Sequence, residues 1–266
     1  MSLQLSIIGF GEAARAFAPA IIGSGQTIRA SDLRAEEPSY QNAFAKFGVT
    51  GAQDYRTTLD GADTVLSLVT ADQALAAATE AARHIAQNAF FFDMNSVAPG
   101  TKKQAADIIV GSGGRYVDVA IMSPVEPKKA TVPLLLSGPD ASEGLKQLSA
   151  TGFSNCKLVG EEIGRASTIK MIRSVLIKGQ EALTAEMMHA ARNAGVEEEV
   201  VGSLGGDWQD RVAYNLERMM THGWRRAAEM EEVAKTLEAL QVEPLMTRGT
   251  IVRQREMAES GERKCP

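Results

Sequence analysis

Lys170, Ser174 and Lys178 recur at i, i+4 and i+8 in the segment Gly164-Arg165-Ala166-Ser167-Thr168-Ile169-Lys170-Met171-Ile172-Arg173-Ser174-Val175-Leu176-Ile177-Lys178, so they share one helix face. A lysine held partly out of water and near other cations has its pKa lowered and works as a base at neutral pH. The competing use of such a stripe is a solvated surface. Three more polar places follow strand-like runs: Val69-Thr70, Asp93-Met94-Asn95-Ser96-Val97-Ala98-Pro99-Gly100 and Met122-Ser123-Pro124. Asn95, Ser96 and Ser123 offer donors and acceptors to a hydroxylated substrate, with helix capping as their alternative role.

The N-terminus supplies a second kind of chemistry. An apolar run from Leu3 to Ile8 enters Gly9-Phe10-Gly11-Glu12-Ala13-Ala14, a G-x-G-x-x-A loop between a strand and a helix. Gly9 permits the tight turn, Gly11 lets backbone approach a pyrophosphate, and Ala14 lets the helix pack closely on the strand. The loop residues Gly9, Phe10, Gly11, Glu12 and Ala13 are therefore expected to hold a dinucleotide, with Val69 and Thr70 at a neighbouring strand end. Asp32 follows 23 positions after Gly9, closing a second strand over 26–30, where a carboxylate accepts hydrogen bonds from an adenosine ribose. That carboxylate repels a 2′-phosphate and favours NAD, while Arg34 keeps NADP open through bidentate phosphate binding.

The elements that must position these groups alternate through the first half. Strands are expected over 3–8, 26–30, 63–69, 90–93, 115–121, 132–138 and 155–159, with helices over 36–47, 71–86 and 102–110. The strand at 132–138 reads as an edge, because Pro133 cannot donate to a central ladder. After Gly164 the pattern turns helical, giving helices over 165–193 (with a break near Gly179), 197–204, 208–220, 224–240 and 243–258, and a frayed end from Ser260. The fold class is α/β: an N-terminal doubly wound, mainly parallel Rossmann sheet over 1–162, then an all-helical domain over 163–266 for substrate and dimer contacts. Met187, Met188, Met219, Met220 and Met230 suit core or dimer contacts.

Composition excludes several classes. The net charge is −5 and no Lys/Arg run exceeds two residues, which argues against a nucleic-acid partner. No 18-residue apolar run indicates a membrane partner, and a strand beginning by residue 3 leaves no room for a signal peptide. Cys156 and Cys265 have no metal spacing, with Cys156 expected in the core and Cys265 in the tail, as suits a reducing cytoplasm. No metal site is expected, since His84, His189 and His222 lack paired helical spacing.

Taken in order, these motifs resemble the β-hydroxyacid dehydrogenase family, which includes 3-hydroxyisobutyrate and 6-phosphogluconate dehydrogenases. Gly9 through Ala14 matches its cofactor loop, Asp93 through Pro99 looks like its substrate loop, Asp118 through Pro124 stands at its second substrate strand end, and Gly164 to Lys170 matches its catalytic helix. The resemblance implies that Lys170 exchanges the hydroxyl proton while hydride moves to or from a nicotinamide. It also implies a homodimer, in which His222 and Arg225 could reach a neighbouring subunit's site. The chain departs from the pattern at Ser174, where the family has Asn, and at Met122-Ser123-Pro124, where a Gly-Gly turn is usual. Position 177 is Ile, and the nearest carboxylate beyond it is Glu181, which argues against phosphogluconate itself. These features are similar to an uncharacterised bacterial phosphogluconate-dehydrogenase-like subgroup.

Lys178, Arg173, Asn95, Ser96 and Ser123 together suggest a small, hydroxylated, anionic substrate, although Arg173 could equally form a structural salt bridge and Arg226 lie on a solvated face. Two other functions fit the same motifs: imine reduction on this fold, and a dinucleotide-binding sensor without turnover. Short-chain dehydrogenase chemistry does not fit, because none of Tyr40, Tyr55, Tyr116 or Tyr214 has Lys at +4.

Overall fold

The computed structural model describes residues 4–262, which fall into two compact units, Met1–Lys170 and Met171–Pro266. Cys265 lies outside the described residues. In the first unit one sheet contains β1 (Gln4–Ile8), β2 (Thr27–Ser31), β3 (Thr50–Ala52), β4 (Thr64–Ser67), β5 (Phe90–Asp93), β6 (Arg115–Ile121), β7 (Leu134–Ser137) and β8 (Cys156–Gly160). The strands lie in the order β3-β2-β1-β4-β5-β6-β7-β8. Every pair is parallel except β6 with β7. The order reverses between β1 and β4, which opens a crevice at their carboxyl ends, the usual ligand position in such sheets.

Helices α1 (Glu12–Gly23), α2 (Pro38–Phe47), α3 (Tyr55–Leu59), α4 (Ala74–Ala81), α5 (Pro99–Gly111) and α6 (Ala141–Ala150) connect the strands. Apolar residues cover both faces of the sheet, as buried parallel strands require. The period of two is plain in β5: Phe90 and Phe92 stack at 5.6 Å in the cluster around Phe17, Val117 and Leu136, while Phe91 meets Tyr116 at 6.0 Å in the cluster around Val65, Ala78 and Ile109.

Helix α7 (Arg165–Ala194) begins in the first unit and continues into the second, where it is joined by α8 (Glu197–Leu204), α9 (Trp208–Ala239) and α10 (Leu245–Glu262). Among the described residues the second unit is entirely helical. Its small apolar clusters are Ala182, Ala185, Met219 and Met257, and Met171, Met230 and Val233. Met188 is buried and Met187 half-buried.

Several sequence expectations are corrected. The segment with Pro133 is interior, between β6 and β8; Pro133 precedes β7, so no ladder donor is lost, and its carbonyl accepts from the Met122 N–H at 2.9 Å. The helix expected over 71–86 is a single 3-10 turn at Ala71–Gln73 followed by α4, which ends at Ala81. Gly179 does not interrupt α7, and the helix expected to fray at Ser260 continues to Glu262. The two helices expected around His222-Gly223 are one, α9. Gly223 is there for packing: a Cβ on it would overlap the Gln254 carbonyl and approach the Ala258 methyl within 2.8 Å. Gly261 likewise lies against Met220, so α9 and α10 run antiparallel at glycine-close distance. Cys156 is half-buried on the edge strand rather than in the core, and its burial pushes the thiol pKa up to about 11.

Candidate active site

The glycine loop is shaped by both backbone and packing. Gly9 has φ +87°, and a Cβ there would stand 2.5 Å from the Leu68 carbonyl oxygen, so only glycine lets β1 turn against the end of β4. Gly11 caps α1 without a side chain, and nothing lies within 4 Å of where its Cβ would be. Together these leave open space over the first turn of α1, the place where helix N–H groups meet a pyrophosphate. Glu12 is exposed on that turn and Ala13 half-buried.

Asp32 ties this loop to the end of β2. Its Oδ2 accepts the Phe10 N–H at 2.7 Å and its Oδ1 accepts the Arg34 N–H at 2.9 Å. Each oxygen retains lone-pair capacity for a ribose hydroxyl. Arg34 turns to Glu37, donating through Nε and Nη2 at 2.8 and 2.6 Å. This pairing holds the Glu37 carboxyl below its ordinary pKa and the Arg34 guanidinium above its own. Nearby, burial pushes the Tyr55 hydroxyl pKa up to about 12, helped by the charges of Glu80 and Asp32.

Next along the carboxyl edge, Asn95 braces the ends of β4 and β5. Its Oδ1 accepts the Val69 N–H at 2.7 Å, its Nδ2 donates to Ser67 Oγ at 2.9 Å, and its own N–H donates to Asp93 Oδ1 at 3.0 Å. The carboxamide is buried and engaged in positioning the loop. Thr70 is exposed, and its hydroxyl helps hold the Asp72 carboxyl below the usual range. Ser96, one residue beyond Asn95, faces the lysine: Lys170 Nζ donates to Ser96 Oγ at 2.6 Å. Ser123 is half-buried, and its hydroxyl reaches the Pro124 carbonyl at 3.3 Å.

A buried polar cluster aims Lys170. Lys102 on α5 is fully buried; its ammonium donates to the Asp93 carbonyl at 2.5 Å and to Asp93 Oδ1 at 2.8 Å, and lies 3.4 Å from Asp118 Oδ1. Tyr116 donates its hydroxyl to Asp93 Oδ2 at 2.6 Å. Burial first, then Asp93 and Asp118, hold that phenol well above its ordinary pKa, so it stays a donor. Asp118 Oδ2 accepts Ser137 Oγ–H at 3.0 Å and the Ser167 N–H at 3.1 Å, and its Oδ1 accepts Ser167 Oγ–H at 2.7 Å. The Ala166 N–H donates to Ser137 Oγ at 3.0 Å. A buried carboxylate thus caps the first turn of α7, favourable at a helix N-terminus, and Lys170 follows one turn later. Gly164, at φ +94°, packs on the start of α5, where a Cβ would sit 2.9 Å from Pro99 Cβ. Lysine helix and Ser96 loop are therefore fixed to one another through α5.

In the second unit, Lys178 is buried and paired with Glu229 at 2.7 Å, so its charge is already met. Ser174 is buried, while Arg173 is exposed. Arg226, expected on a solvated face, is buried in a bidentate pair with Glu181, whose Oε2 also accepts Gln254 Nε2 at 3.0 Å. Arg225 is exposed, 3.9 Å from Glu229, and His222 is half-buried on α9. Among the described residues no group of His, Cys, Asp and Glu could hold a metal, and no helix is long and apolar enough to cross a membrane.

Residues 4–147 match the family model described as the NAD binding domain of 6-phosphogluconate dehydrogenase, more than half of the chain. The chain belongs to this 6-phosphogluconate dehydrogenase-like family. Residues 191–257 match a domain of unknown function, DUF1932. Among solved structures, a conserved hypothetical protein from Sinorhizobium meliloti 1021 is 37% identical, covering 100% of this chain and 92% of its own, with TM-score 0.74. The conserved protein MTH1747, of unknown function and described as structurally similar to 3-hydroxyacid dehydrogenases, is 33% identical over 99% of this chain and 100% of its own, with TM-score 0.72. A 3-hydroxyisobutyrate dehydrogenase from Salmonella typhimurium shares the fold at TM-score 0.78 and 19% identity, covering 98% of this chain and 95% of its own. The nicotinamide-binding fold is thus that of the 6-phosphogluconate dehydrogenase-like family.

The sequence pattern points to Ser96 and Lys170 but not to the residues packed around them: Lys102, Ser137 and Ser167, and the buried roles of Asp93, Tyr116 and Asp118. One signal was available. Asp118 interrupts the apolar run Tyr116-Val117-Asp118-Val119-Ala120-Ile121, and a buried carboxylate in such a strand demands a cation and donors.

Proposed function

We propose that the chain is an NAD-dependent oxidoreductase that transfers hydride between the nicotinamide and a small hydroxy acid, with Lys170 as general acid/base. The observation that carries this reading is the 2.6 Å bond from Lys170 Nζ to Ser96 Oγ. It brings the Lys170 ammonium against the loop after β5, at the same sheet edge as the Gly9 loop after β1. The two loops are two strand spacings apart, about 10 Å. The nicotinamide, when bound, accepts or gives the hydride. Gly9, Phe10, Gly11, Glu12 and Ala13 cradle the pyrophosphate, Asp32 takes the ribose hydroxyls, and Val69 and Thr70 line the path toward Ser96. In the oxidative direction neutral Lys170 takes the substrate hydroxyl proton as the carbonyl forms; in reduction it returns that proton to the alkoxide oxygen. Ser96 holds the ammonium in place and hydrogen-bonds the same hydroxyl, while Asn95 keeps the loop rigid. Ser123, after β6 at the same sheet edge, contributes to substrate selection.

The Asp32 carboxylate supports NAD over NADP. The exposed apolar residues Ile172, Leu176 and Leu183, which fall on one stripe of α7, support assembly as a homodimer. The direct test is a panel of small hydroxy acids and sugar acids with NAD and NADP, followed at the absorbance of the reduced nicotinamide, with a parallel arm of cyclic imines and reduced cofactor. Turnover of a hydroxy acid supports the reading; turnover of imines alone, or binding without turnover of any compound, overturns it.

A further inference from the structure

At the end of β2, two arginines meet one aromatic ring beside the glycine loop. The Arg34 guanidinium lies 4.9 Å and the Arg15 guanidinium 4.5 Å from the Tyr40 ring centroid. Arg15 is anchored to the loop itself, donating through Nε to the Phe10 carbonyl at 2.9 Å. Arg34 is anchored through its backbone, whose N–H bonds the Asp32 carboxylate. These contacts put two cations next to the carboxylate proposed to hold the ribose, where a 2′-phosphate would lie. A guanidinium binds phosphate through two parallel N–H bonds from one edge. In this chain that edge of Arg34 is filled by both carboxylate oxygens of Glu37.

We propose that Glu37 is a specificity-determining residue that excludes NADP by occupying the phosphate-binding edge of Arg34. The inference rests on the nicotinamide reading above and deepens it: discrimination comes from two carboxylates, Asp32 at the ribose and Glu37 on the arginine. Glu37 acts twice, filling the donor fork and adding a negative charge beside the incoming phosphate. The pair is exposed, with 59% of the Arg34 side chain and 45% of the Glu37 side chain accessible, so water and salt weaken it. Its effect is consequently a bias of up to about fivefold and not an absolute block. Glu37 is the N-cap residue of α2, which begins at the next residue; its carboxylate accepts no backbone N–H there but does accept the Ser39 hydroxyl, so its removal costs the helix start one exposed side-chain hydrogen bond and no backbone cap.

The test compares dissociation constants for NADH and NADPH, by calorimetry at fixed ionic strength, in the full-length chain and in Glu37→Ala and Glu37→Ala/Arg34→Met variants. The expected result is that the unmodified protein binds NADH more tightly, and that Glu37→Ala tightens NADPH about three- to fivefold with NADH changed less than about twofold. The added Arg34→Met change removes the gain. Unchanged NADPH affinity in Glu37→Ala, a gain that survives loss of Arg34, or an unmodified protein that binds NADPH as well as NADH overturns the role of Glu37 while leaving nicotinamide binding standing. If the unmodified protein binds neither cofactor, the cofactor reading and the role of Glu37 fall together.

Discussion

Replacing Lys102 by Met tests whether the buried ionic cluster organises the lysine helix. Lys102 is 0% exposed and stands between Asp93 and Asp118, themselves almost wholly buried. Met comes close to its volume, one heavy atom shorter and without the charge, so the variant leaves two carboxylates in the interior with no cation. Removing one partner of a buried ion pair costs about 3–5 kcal/mol. With a urea m-value of about 2–3 kcal/mol/M for a chain of this size, the unfolding midpoint falls by about 1–2.5 M. Urea titrations followed by far-ultraviolet circular dichroism read the effect. A midpoint within about 0.3 M of the parent would refute the reasoning.

Three further outcomes follow from the geometry. Asp32→Ala removes the acceptor of the Phe10 and Arg34 N–H groups and is expected to weaken NADH binding about tenfold or more, measured by calorimetry. Gly223→Ala drives a methyl into the Gln254 carbonyl between α9 and α10 and is expected to destabilise the helical unit by about 1–3 kcal/mol, read from denaturant midpoints; an unchanged midpoint contradicts the close packing. The native pKa of Tyr116 is raised, so its contribution to stability is complete below the ordinary value of 10.0 and is lost as pH rises above it toward the native value. Tyr116→Phe is therefore expected to be less stable at neutral pH, with Asp93 Oδ2 short of a donor, and to show a shallower alkaline decline in Tm.

The sequence was most legible where local pattern and chemistry agreed. Phe90–Asp93 and Arg115–Ile121 read as strands with the bounds they have, because the first apolar run ends in Asp93 and the second gives way to Ser123-Pro124 one residue past the strand. The Gly9 loop was equally readable, being fixed by spacing within one short segment. What failed depended on distant partners. Gly223 reads as a helix stop until α10 is seen to lie against it, and Pro133 reads as an edge marker until its place outside β7 is known. Charge depended on partners for the same reason: Arg226 looks solvated and Lys178 looks available to an anionic substrate in one dimension, yet Glu181 and Glu229 come from other helices to meet them. Asn95 offered a side chain to substrate on paper, whereas both ends of its carboxamide are engaged in joining two strands.

The central claim is that Lys170 moves the substrate proton while the rest of the first unit holds the cofactor. Its most direct measurement is the rate of a single turnover with Lys170→Met, alongside NADH affinity by calorimetry, on a substrate taken from the hydroxy-acid panel. Turnover is expected to fall by about 10²–10⁴-fold with NADH affinity changed less than about twofold. Turnover within a few-fold of the parent would contradict the assignment of Lys170, and a parallel loss of NADH affinity would show instead that the lysine serves the binding of the cofactor.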